Sequence, residues 1–305
     1  MYDWDRIAAS KNVGALLTIV SAVLFGVTPA LGKMTYAEGS NGTTLLFFRS
    51  AMALPILFFW LKAARISLRL TKKQSMQIIL LSCIGSYATT LLLYSSYSEL
   101  SVGLSTTLHF IYPVLTMLGA RLIFGEKMSA RKGVAVVVSA LGVALSVGPT
   151  ADVSLKGVVL ALLSGLTYSF YILMLEHTRL RELHYMKIAF YQCAICVVCS
   201  VLFDGLCGGL QLVLSWNGYL LSATVAILVS VVAIPAFQMG VRLAGGTTAA
   251  LLSTLEPLTS ILFGILLLNE SVTIYKLIGC CMILTGIILT INQGSKQKYN
   301  KKWSS

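Results

Sequence analysis

The sequence predicts an all-α integral membrane protein with ten transmembrane helices, arranged as two inverted repeats of five helices each. Composition is the first observation: 57% of the 305 residues are hydrophobic and only 11% are charged, so a soluble fold could not present a polar surface to water. The second observation is a set of ten apolar stretches of membrane-spanning length. The third is that the second half of the chain repeats the landmarks of the first.

Ten apolar segments are each close to the ~20 residues that an α-helix needs to cross ~30 Å of hydrocarbon. They are apolar throughout and do not alternate as barrel strands do. The first is too long for a cleaved signal peptide, and we expect it to be retained. The segments are 13–33, 43–61, 76–95, 101–123, 130–148, 157–176, 187–206, 218–241, 246–268 and 274–292.

The chain is an internal duplication, with a first repeat at 1–149 and a second at 150–292. Because five is an odd number, the chain enters the second repeat from the opposite side of the membrane, and the repeats must be inverted. Inverted repeats can exchange conformations around a site near the bilayer midplane, an architecture that recurs in secondary transporters. The matched landmarks, at offsets of 144 or 143 residues, include Pro113 with Pro257, Glu126 with Glu270, Gly142 with Gly286, and Ser21 with Ser164.

The distribution of lysine and arginine predicts the orientation, since short loops rich in these residues stay cytoplasmic. With the N terminus inside, all but four of the 23 fall on the cytoplasmic side. We expect a bacterial plasma-membrane protein with both termini cytoplasmic, including the basic tail 293–305. Topology and attraction to anionic headgroups account for the net charge of +12, so a nucleic-acid partner is not needed to explain it.

Polar groups inside the hydrocarbon are the best candidates for a substrate site. An ionisable residue at the centre of a spanning helix costs roughly 2.5–3.5 kcal/mol and persists only when it is paired or faces a cavity. Glu256 is the clearest case, and Pro257 beside it lacks the N–H that would continue the helix. The alternative for both Glu256 and His109 is a purely structural role, in which the side chain is buried and bonded within the helix bundle. The matching residues in the first repeat are Tyr112 and Pro113. His109 lies three residues before Tyr112, and Ser253 lies three residues before Glu256, so each pair shares a helix face.

Arg49 lies near the outer end of the second segment. It could bind a substrate carboxylate or pair with an acid, or its side chain could snorkel to the headgroups. Its counterpart in the second repeat is Gln192, so the two halves differ chemically here. Gln238 and Tyr168 are further candidates for the cavity wall. Aromatic walls with one cation and one anion suit a small zwitterionic or carboxylate metabolite, of which an amino acid is the simplest example.

The paired Glu126 and Glu270 precede the fifth and tenth segments. We expect each to act as a loop staple near the N terminus of the following helix, which Ser129 or Thr273 can cap. A gating role is the alternative. Small residues on the fifth segment permit close helix contact and leave a homodimer possible, namely Ala135, Ser139, Gly142 and Ser146.

Features of an enzyme, a metal site or a cofactor site are not apparent. Cys193, Cys196 and Cys199 are spaced by three residues without a fourth ligand nearby, and packed cysteines explain them better than a metal or disulfides. The extramembrane stretches are short, without a phosphate-binding glycine loop or a catalytic triad pattern. We therefore expect no ATP hydrolysis and no cofactor, with transport that is facilitative, exchange-driven or coupled to an ion such as the proton.

Several short motifs carry a family resemblance: Phe48-Arg49, Tyr112-Pro113, Gly125-Glu126-Lys127-Met128-Ser129, Glu256-Pro257 and Asn269-Glu270-Ser271-Val272-Thr273. Over residues 13–292 the chain resembles the ten-helix EamA-type members of the drug/metabolite transporter superfamily. The resemblance implies a central cavity lined by segments 1–4 and 6–9, with segments 5 and 10 peripheral, and import or export of small organic metabolites. Asn269 departs from the pattern, because the family usually has Gly there.

The function predicted from the sequence is secondary active or facilitative transport of amino acids or related zwitterions and carboxylates by alternating access. Two alternatives stay open. A broad multidrug exporter would tolerate loss of Arg49 but not of Glu256. An intramembrane binding or sensor protein would bind its ligand without moving it.

Overall fold

The computed structural model describes residues 11–125, 130–147, 153–205, 209–244, 252–253 and 255–291, and these ranges contain helices and loops but no strand. Within these ranges, seven helices are long and apolar enough to cross a membrane, which confirms an all-helical membrane protein. The count of ten spanning helices stays a prediction. The Glu126–Ser129 turn and the tail 293–305 lie outside the described residues.

The helices are labelled in chain order. The continuous ones are α1 (Lys11–Ala37), α2 (Gly42–Ala63), α4 (Val102–His109), α5 (Tyr112–Phe124), α6 (Ala130–Val147), α7 (Leu155–His177), α10 (Leu255–Leu268) and α11 (Ile274–Ile291). Three others change to wider π-type turns along their length: α3 (Lys72–Leu80, Leu81–Ala88, Thr89–Ser96), α8 (Tyr185–Cys199, Ser200–Gly205) and α9 (Trp216–Val225, Ala226–Ala233, Ile234–Ala244). Such π-type turns frequently occur at functional sites.

Both repeats interrupt a helix beside a proline. In the first repeat α4 ends at His109 and α5 begins at Tyr112, with Pro113 in its first turn. Proline has no N–H to donate to the carbonyl four residues earlier, so the His109 carbonyl loses its normal partner. In the second repeat α10 begins at Leu255, and Pro257 again lies in the first turn.

The ends of α5 and α10 explain the departure at Asn269. Gly125 ends α5 with a φ of 68°, and Asn269, its counterpart in the second repeat, follows α10 with a φ of 52°. Both angles are in the left-handed region that most side chains avoid. Asparagine is among the few residues other than glycine that adopt this region readily. Asn269 therefore serves the same backbone geometry as Gly125.

Helices α6 and α11 pack mainly against each other, at the periphery of the bundle. The contact is close at Gly142, where a Cβ atom would lie 2.8 Å from the Gly279 carbonyl oxygen. Ser139 is fully buried. The small residues of α6 that the structure describes are thus used inside the chain, and they do not support the homodimer considered from the sequence.

Candidate substrate-binding cavity

The remaining helices surround a central cavity of about 110 Å³. Its walls come from α1–α4 and α7–α10, as the family resemblance implied, so both repeats contribute. Five polar or charged candidates from the sequence face it together with six aromatic residues. The polar candidates are Arg49, His109, Gln192, Gln238 and Glu256, and the aromatic residues are Phe25, Tyr94, Tyr97, Tyr168, Tyr171 and Phe237.

Arg49 is buried in the bundle and does not reach out to the headgroups. Its side chain is 7% exposed. Nη1 donates to the Tyr94 hydroxyl oxygen at 3.0 Å, and the guanidinium carbon lies 5.6 Å from the centre of the same ring. Among the described residues, Nε has no hydrogen-bond partner and Arg49 makes no salt bridge. A buried cation whose donors are only partly used can bind an anion.

Tyr94 is itself held in place from the first helix. The Tyr36 hydroxyl donates to the Tyr94 carbonyl oxygen at 2.6 Å. The Tyr94 side chain is 5% exposed and packs at 5.7 Å between ring centres against Tyr97. Sequence reasoning did not identify Tyr94 as the partner of Arg49, because the two residues are 45 positions apart and lie on different helices.

Glu256 projects from the first turn of α10 and is partly exposed to the cavity. Its carboxylate has no hydrogen bond or ion pair within the described part of the chain. Tyr97, Tyr112 and Tyr168 are close enough for electrostatic interaction with it. The positive end of the α10 dipole favours a carboxylate at this place. Glu256 is therefore a second ionisable group available to a ligand.

His109 lies at the end of α4, at the interruption of the helix. Its Nδ1 atom is 2.8 Å from the Ser164 hydroxyl oxygen. Its ring forms a three-ring cluster with Tyr112 at 5.5 Å and Tyr168 at 5.4 Å, and those two rings are 4.7 Å apart. Gly165 lets α7 pack closely against the end of α4, since a Cβ atom at this position would lie 2.8 Å from the His109 carbonyl oxygen.

The two glutamines differ in how well they are bonded. Gln238 donates from Nε2 to the Tyr171 hydroxyl oxygen at 3.0 Å. The Oε1 atom of Gln192 is buried and has no hydrogen-bond partner in the part of the chain that the structure describes. Tyr171 stacks on Tyr168 with 5.4 Å between ring centres. Gln192 lines the same cavity.

The structure does not bring every sequence candidate to the cavity wall. Tyr112 is 6% exposed and lies behind His109 and Tyr168, against Phe110. Ser253 is buried and bonded, and it does not line the cavity. Pro113 and Pro257 lie one turn from the helix interruptions and also outside the lining.

Glu270 has a different role from the expected one. Its Oε1 atom accepts from the Val102 amide at 2.7 Å and from Lys33 Nζ at 3.3 Å, while Oε2 accepts from the Gly103 amide at 3.4 Å. The expectation that Glu270 serves the helix that follows it was wrong: it caps the N terminus of α4 in the other repeat. Sequence reasoning failed because the free amides nearest in space belong to a helix 168 residues earlier.

Lys33 and the loop before α4 complete this group, which we call the Lys33–Glu270 cluster. Lys33 Nζ also donates to the Leu100 carbonyl oxygen at 3.1 Å, and Lys276 Nζ donates to the Ser101 hydroxyl oxygen at 3.0 Å. The Ser101 hydroxyl in turn accepts from the Leu104 amide. The cluster thus joins the ends of α1 and α10 and the start of α11 to the start of α4. Glu126, the counterpart of Glu270, lies outside the described residues.

Comparison with known families identifies the protein class. The model of the EamA-like transporter family matches residues 12–148 and again residues 155–292. The chain belongs to this family and so to the drug/metabolite transporter superfamily, which confirms the resemblance and the duplication. It is a multi-pass membrane protein of the transporter class.

Relatives in other organisms support the same class. An uncharacterized transporter of Synechocystis sp. is 26% identical over 205 residues, which cover 65% of this chain and 61% of that protein. An uncharacterized transporter of Bacillus subtilis is 23% identical, with 92% of this chain and 90% of that protein covered. A third, from Archaeoglobus fulgidus, is 22% identical, with coverages of 90% and 95%. A solved crystal structure has the same fold, with a TM-score of 0.64 and 16% identity over 94% of this chain and 99% of that one.

Proposed function

We propose that this protein is a secondary active or facilitative transporter that moves amino acids or related zwitterions and carboxylates across the plasma membrane. The five-plus-five inverted repeats alternate access to the central cavity, with both termini in the cytoplasm. Arg49 binds the anionic group of the substrate. Glu256 binds its cationic group or the coupling proton.

The observation that carries this proposal is a pair of opposite charges, each without an ionic partner in the described residues, on the wall of one cavity. Arg49 has a neutral phenol as its hydrogen-bond acceptor. Glu256 lines the same cavity as Tyr97 and Tyr168. Leaving either charge unpaired in the hydrocarbon costs several kcal/mol in the absence of a ligand. A zwitterion supplies both missing partners at once.

The repeats support alternating access. Each carries a helix interruption next to a proline, and each interruption packs closely on a glycine of the other repeat. Gly165 meets the His109 carbonyl, and Gly26 meets the Glu256 carbonyl, where a Cβ atom would lie 2.7 Å from the oxygen. Two similar half-structures around one site can exchange conformations at low energetic cost.

Cavity size distinguishes a small metabolite from a drug-sized substrate. Sites for drug-sized ligands measure roughly 300–1,000 Å³. The cavity described here is about 110 Å³, which favours a small substrate. The aromatic wall is the observation that favours the alternative, a multidrug exporter, since aromatic side chains accommodate varied apolar bodies.

Transport by purified protein in liposomes tests the proposal. Uptake of a labelled amino-acid mixture is measured with and without a pH gradient, for the native protein, Glu256→Gln and Arg49→Ala. We expect uptake above empty liposomes, loss of its gradient dependence in Glu256→Gln, and loss of uptake in Arg49→Ala. Matched controls are Glu99→Gln and Arg65→Ala, which remove the same charges outside the cavity.

The outcomes separate the candidates. Uptake that survives both cavity substitutions would contradict the assigned roles. Loss in Glu256→Gln but not in Arg49→Ala, together with flux of apolar amine dyes, would favour the multidrug exporter. Saturable binding of amino acids without any flux would favour a binding or sensor protein.

A further inference from the structure

The proton on the Ser164 hydroxyl has only one possible place. Ser164 Oγ lies 2.6 Å from the Ala161 carbonyl oxygen and 2.8 Å from His109 Nδ1. A carbonyl oxygen cannot donate, so a contact as short as 2.6 Å requires the hydroxyl proton to lie between Ser164 and Ala161. The Ser164 oxygen is therefore an acceptor toward the histidine.

The tautomer of His109 follows from this. Because Ser164 accepts, His109 Nδ1 must carry a proton, and in a neutral imidazole Nε2 is then a lone-pair acceptor. Nε2 has no hydrogen bond within the described residues, and His109 lines the cavity. The ring also contacts Tyr112 and Tyr168, both tilted to it by nearly 50° (46° and 48°), and these contacts restrict its rotation.

We propose that His109 offers Nε2 to the cavity as a hydrogen-bond acceptor for an N–H or O–H group of the substrate, and that Ser164 is the positioning residue that fixes this tautomer. The inference deepens the proposed function and rests on it for the identity of the substrate. Two residues then share the recognition of a substrate ammonium group. Glu256 binds its charge, and His109 accepts a hydrogen bond from one of its N–H groups.

The repeat relationship makes the arrangement specific to one half of the protein. The counterpart of His109 is Ser253, and that of Ser164 is Ser21, whose hydroxyl donates to the Ala233 carbonyl at 2.9 Å. Ser253 does not line the cavity. An acceptor nitrogen is therefore present on one side of the cavity and lacking at the related position of the other repeat.

The tautomer can be measured without any transport assay. The chain has only three histidines, so the double variant His177→Gln/His184→Gln leaves His109 as the single imidazole. Nitrogen-15 NMR of this protein in lipid bilayers distinguishes a protonated from an unprotonated ring nitrogen. We expect a protonated Nδ1 and an unprotonated Nε2, and mixed tautomers in Ser164→Ala. A protonated Nε2 in the native Ser164 background would overturn the proposal, and a histidine-labelled native protein compared with His109→Gln gives the same reading if the double variant does not fold.

Donor recognition is tested with glycine and glycine betaine, which carry the same charges but differ in having or lacking N–H groups. The preference for glycine over betaine is measured by competition against uptake of the labelled amino-acid mixture. We expect that preference to fall by about tenfold in Ser164→Ala and to be retained in Ser164→Thr, which keeps the hydroxyl. An equal preference in Ser164→Ala and the native protein would contradict the role given to His109.

The two proposals fail separately. The predicted tautomer without amino-acid flux would remove the proposed function and leave the His109 geometry in place. Flux with the opposite tautomer would remove the inference alone.

Discussion

Glu256 and Glu270 lie at opposite ends of α10, and their surroundings are opposite in kind. Glu270 uses both oxygens, with two amides of α4 and Lys33 as donors, and its side chain is only 12% exposed. Glu256 is partly exposed to a cavity, and its carboxylate has no donor among the described residues. One acid stabilises the fold, while the other is available to a ligand.

The cations repeat this difference. Lys33 is shared between the Glu270 carboxylate and the Leu100 carbonyl. Arg49 donates from Nη1 to the Tyr94 hydroxyl, and its Nε has no acceptor among the described residues. Burying a charge in a membrane protein costs free energy. For the two acids and the two cations alike, the bonding partners of the charged group indicate its role better than its position along the chain does.

The largest effect on stability is expected from a substitution at Glu270. Replacing Glu270 with Ala leaves the Val102 and Gly103 amides without an acceptor and Lys33 without its acid. We expect the free energy of unfolding to fall by about 3 kcal/mol, since each buried unsatisfied donor costs about 1–3 kcal/mol. Reversible unfolding in mixed micelles, followed by tryptophan fluorescence, measures the change. A loss no larger than that of the partly exposed control Glu99→Ala would contradict the capping role.

Gly165→Ala tests the helix contact that positions His109. A Cβ atom would lie 2.8 Å from the His109 carbonyl oxygen and 2.9 Å from Ile111 Cγ2, so α7 must move away from the α4–α5 interruption. We expect a loss of about 1–3 kcal/mol from overpacking. The matched control is Gly133→Ala in α6, where a Cβ atom would meet nothing within 4 Å. The control should instead stabilise the protein by about 0.5–1 kcal/mol, through the higher helix propensity of alanine. Equal effects at both glycines would disprove the close contact.

Tyr94→Phe tests whether the Tyr94 hydroxyl positions Arg49 for substrate binding. It removes the hydroxyl that accepts from Nη1 but keeps the ring under the guanidinium. Loss of one hydrogen bond of about 0.5–1.5 kcal/mol should raise the apparent KM for an anionic or zwitterionic substrate by about two- to twelvefold. Tyr275→Phe is the control, at a half-exposed position in α11 outside the cavity lining. An unchanged KM in Tyr94→Phe would mean that Tyr94 does not position Arg49 for binding.

The smallest effect is expected at an exposed ion pair. Lys156 Nζ donates to Glu99 at 2.7 Å, and with the Ser154 hydroxyl it lowers the pKa of Glu99 below its usual value. Because the folded-state pKa is depressed, this stabilisation is present above the unfolded-state pKa and is lost as the pH falls through the folded value. Lys156→Ala should thus lower the Tm slightly at neutral pH and not at all in strong acid. A Tm difference that grows on acidification would contradict this sign.

Much of the fold could be predicted from the sequence because its signals are local. The long apolar runs mark the spanning helices, and the repeat offset pairs Gly125 with Asn269, which share a left-handed conformation. The π-type turns in α3, α8 and α9 left no recognisable signal, because the three segments share no residue pattern.

The candidate site was predictable in its charged members but not in their partners. Arg49 and Glu256 are conspicuous as ionisable residues in apolar segments. The bonds from Arg49 to Tyr94, from His109 to Ser164 and from Glu270 to Val102 join residues 45, 55 and 168 positions apart, and only tertiary packing decides them. Ser253 matched Glu256 in helical spacing, yet it lies away from the cavity wall, since the interruption before α10 breaks the periodicity on which that prediction relied.

The most direct test of the central claim measures Glu256→Gln and Glu270→Ala side by side, each for unfolding free energy and for pH-gradient-driven uptake into liposomes. We predict that Glu256→Gln unfolds within about 1 kcal/mol of the native protein but loses gradient-driven uptake, because it removes a charge without a structural partner. We predict that Glu270→Ala loses about 3 kcal/mol of stability, while the protein that stays folded keeps a gradient response. The reverse pattern, with Glu256→Gln unstable and Glu270→Ala stable, would contradict the division between a ligand-binding and a structural acid.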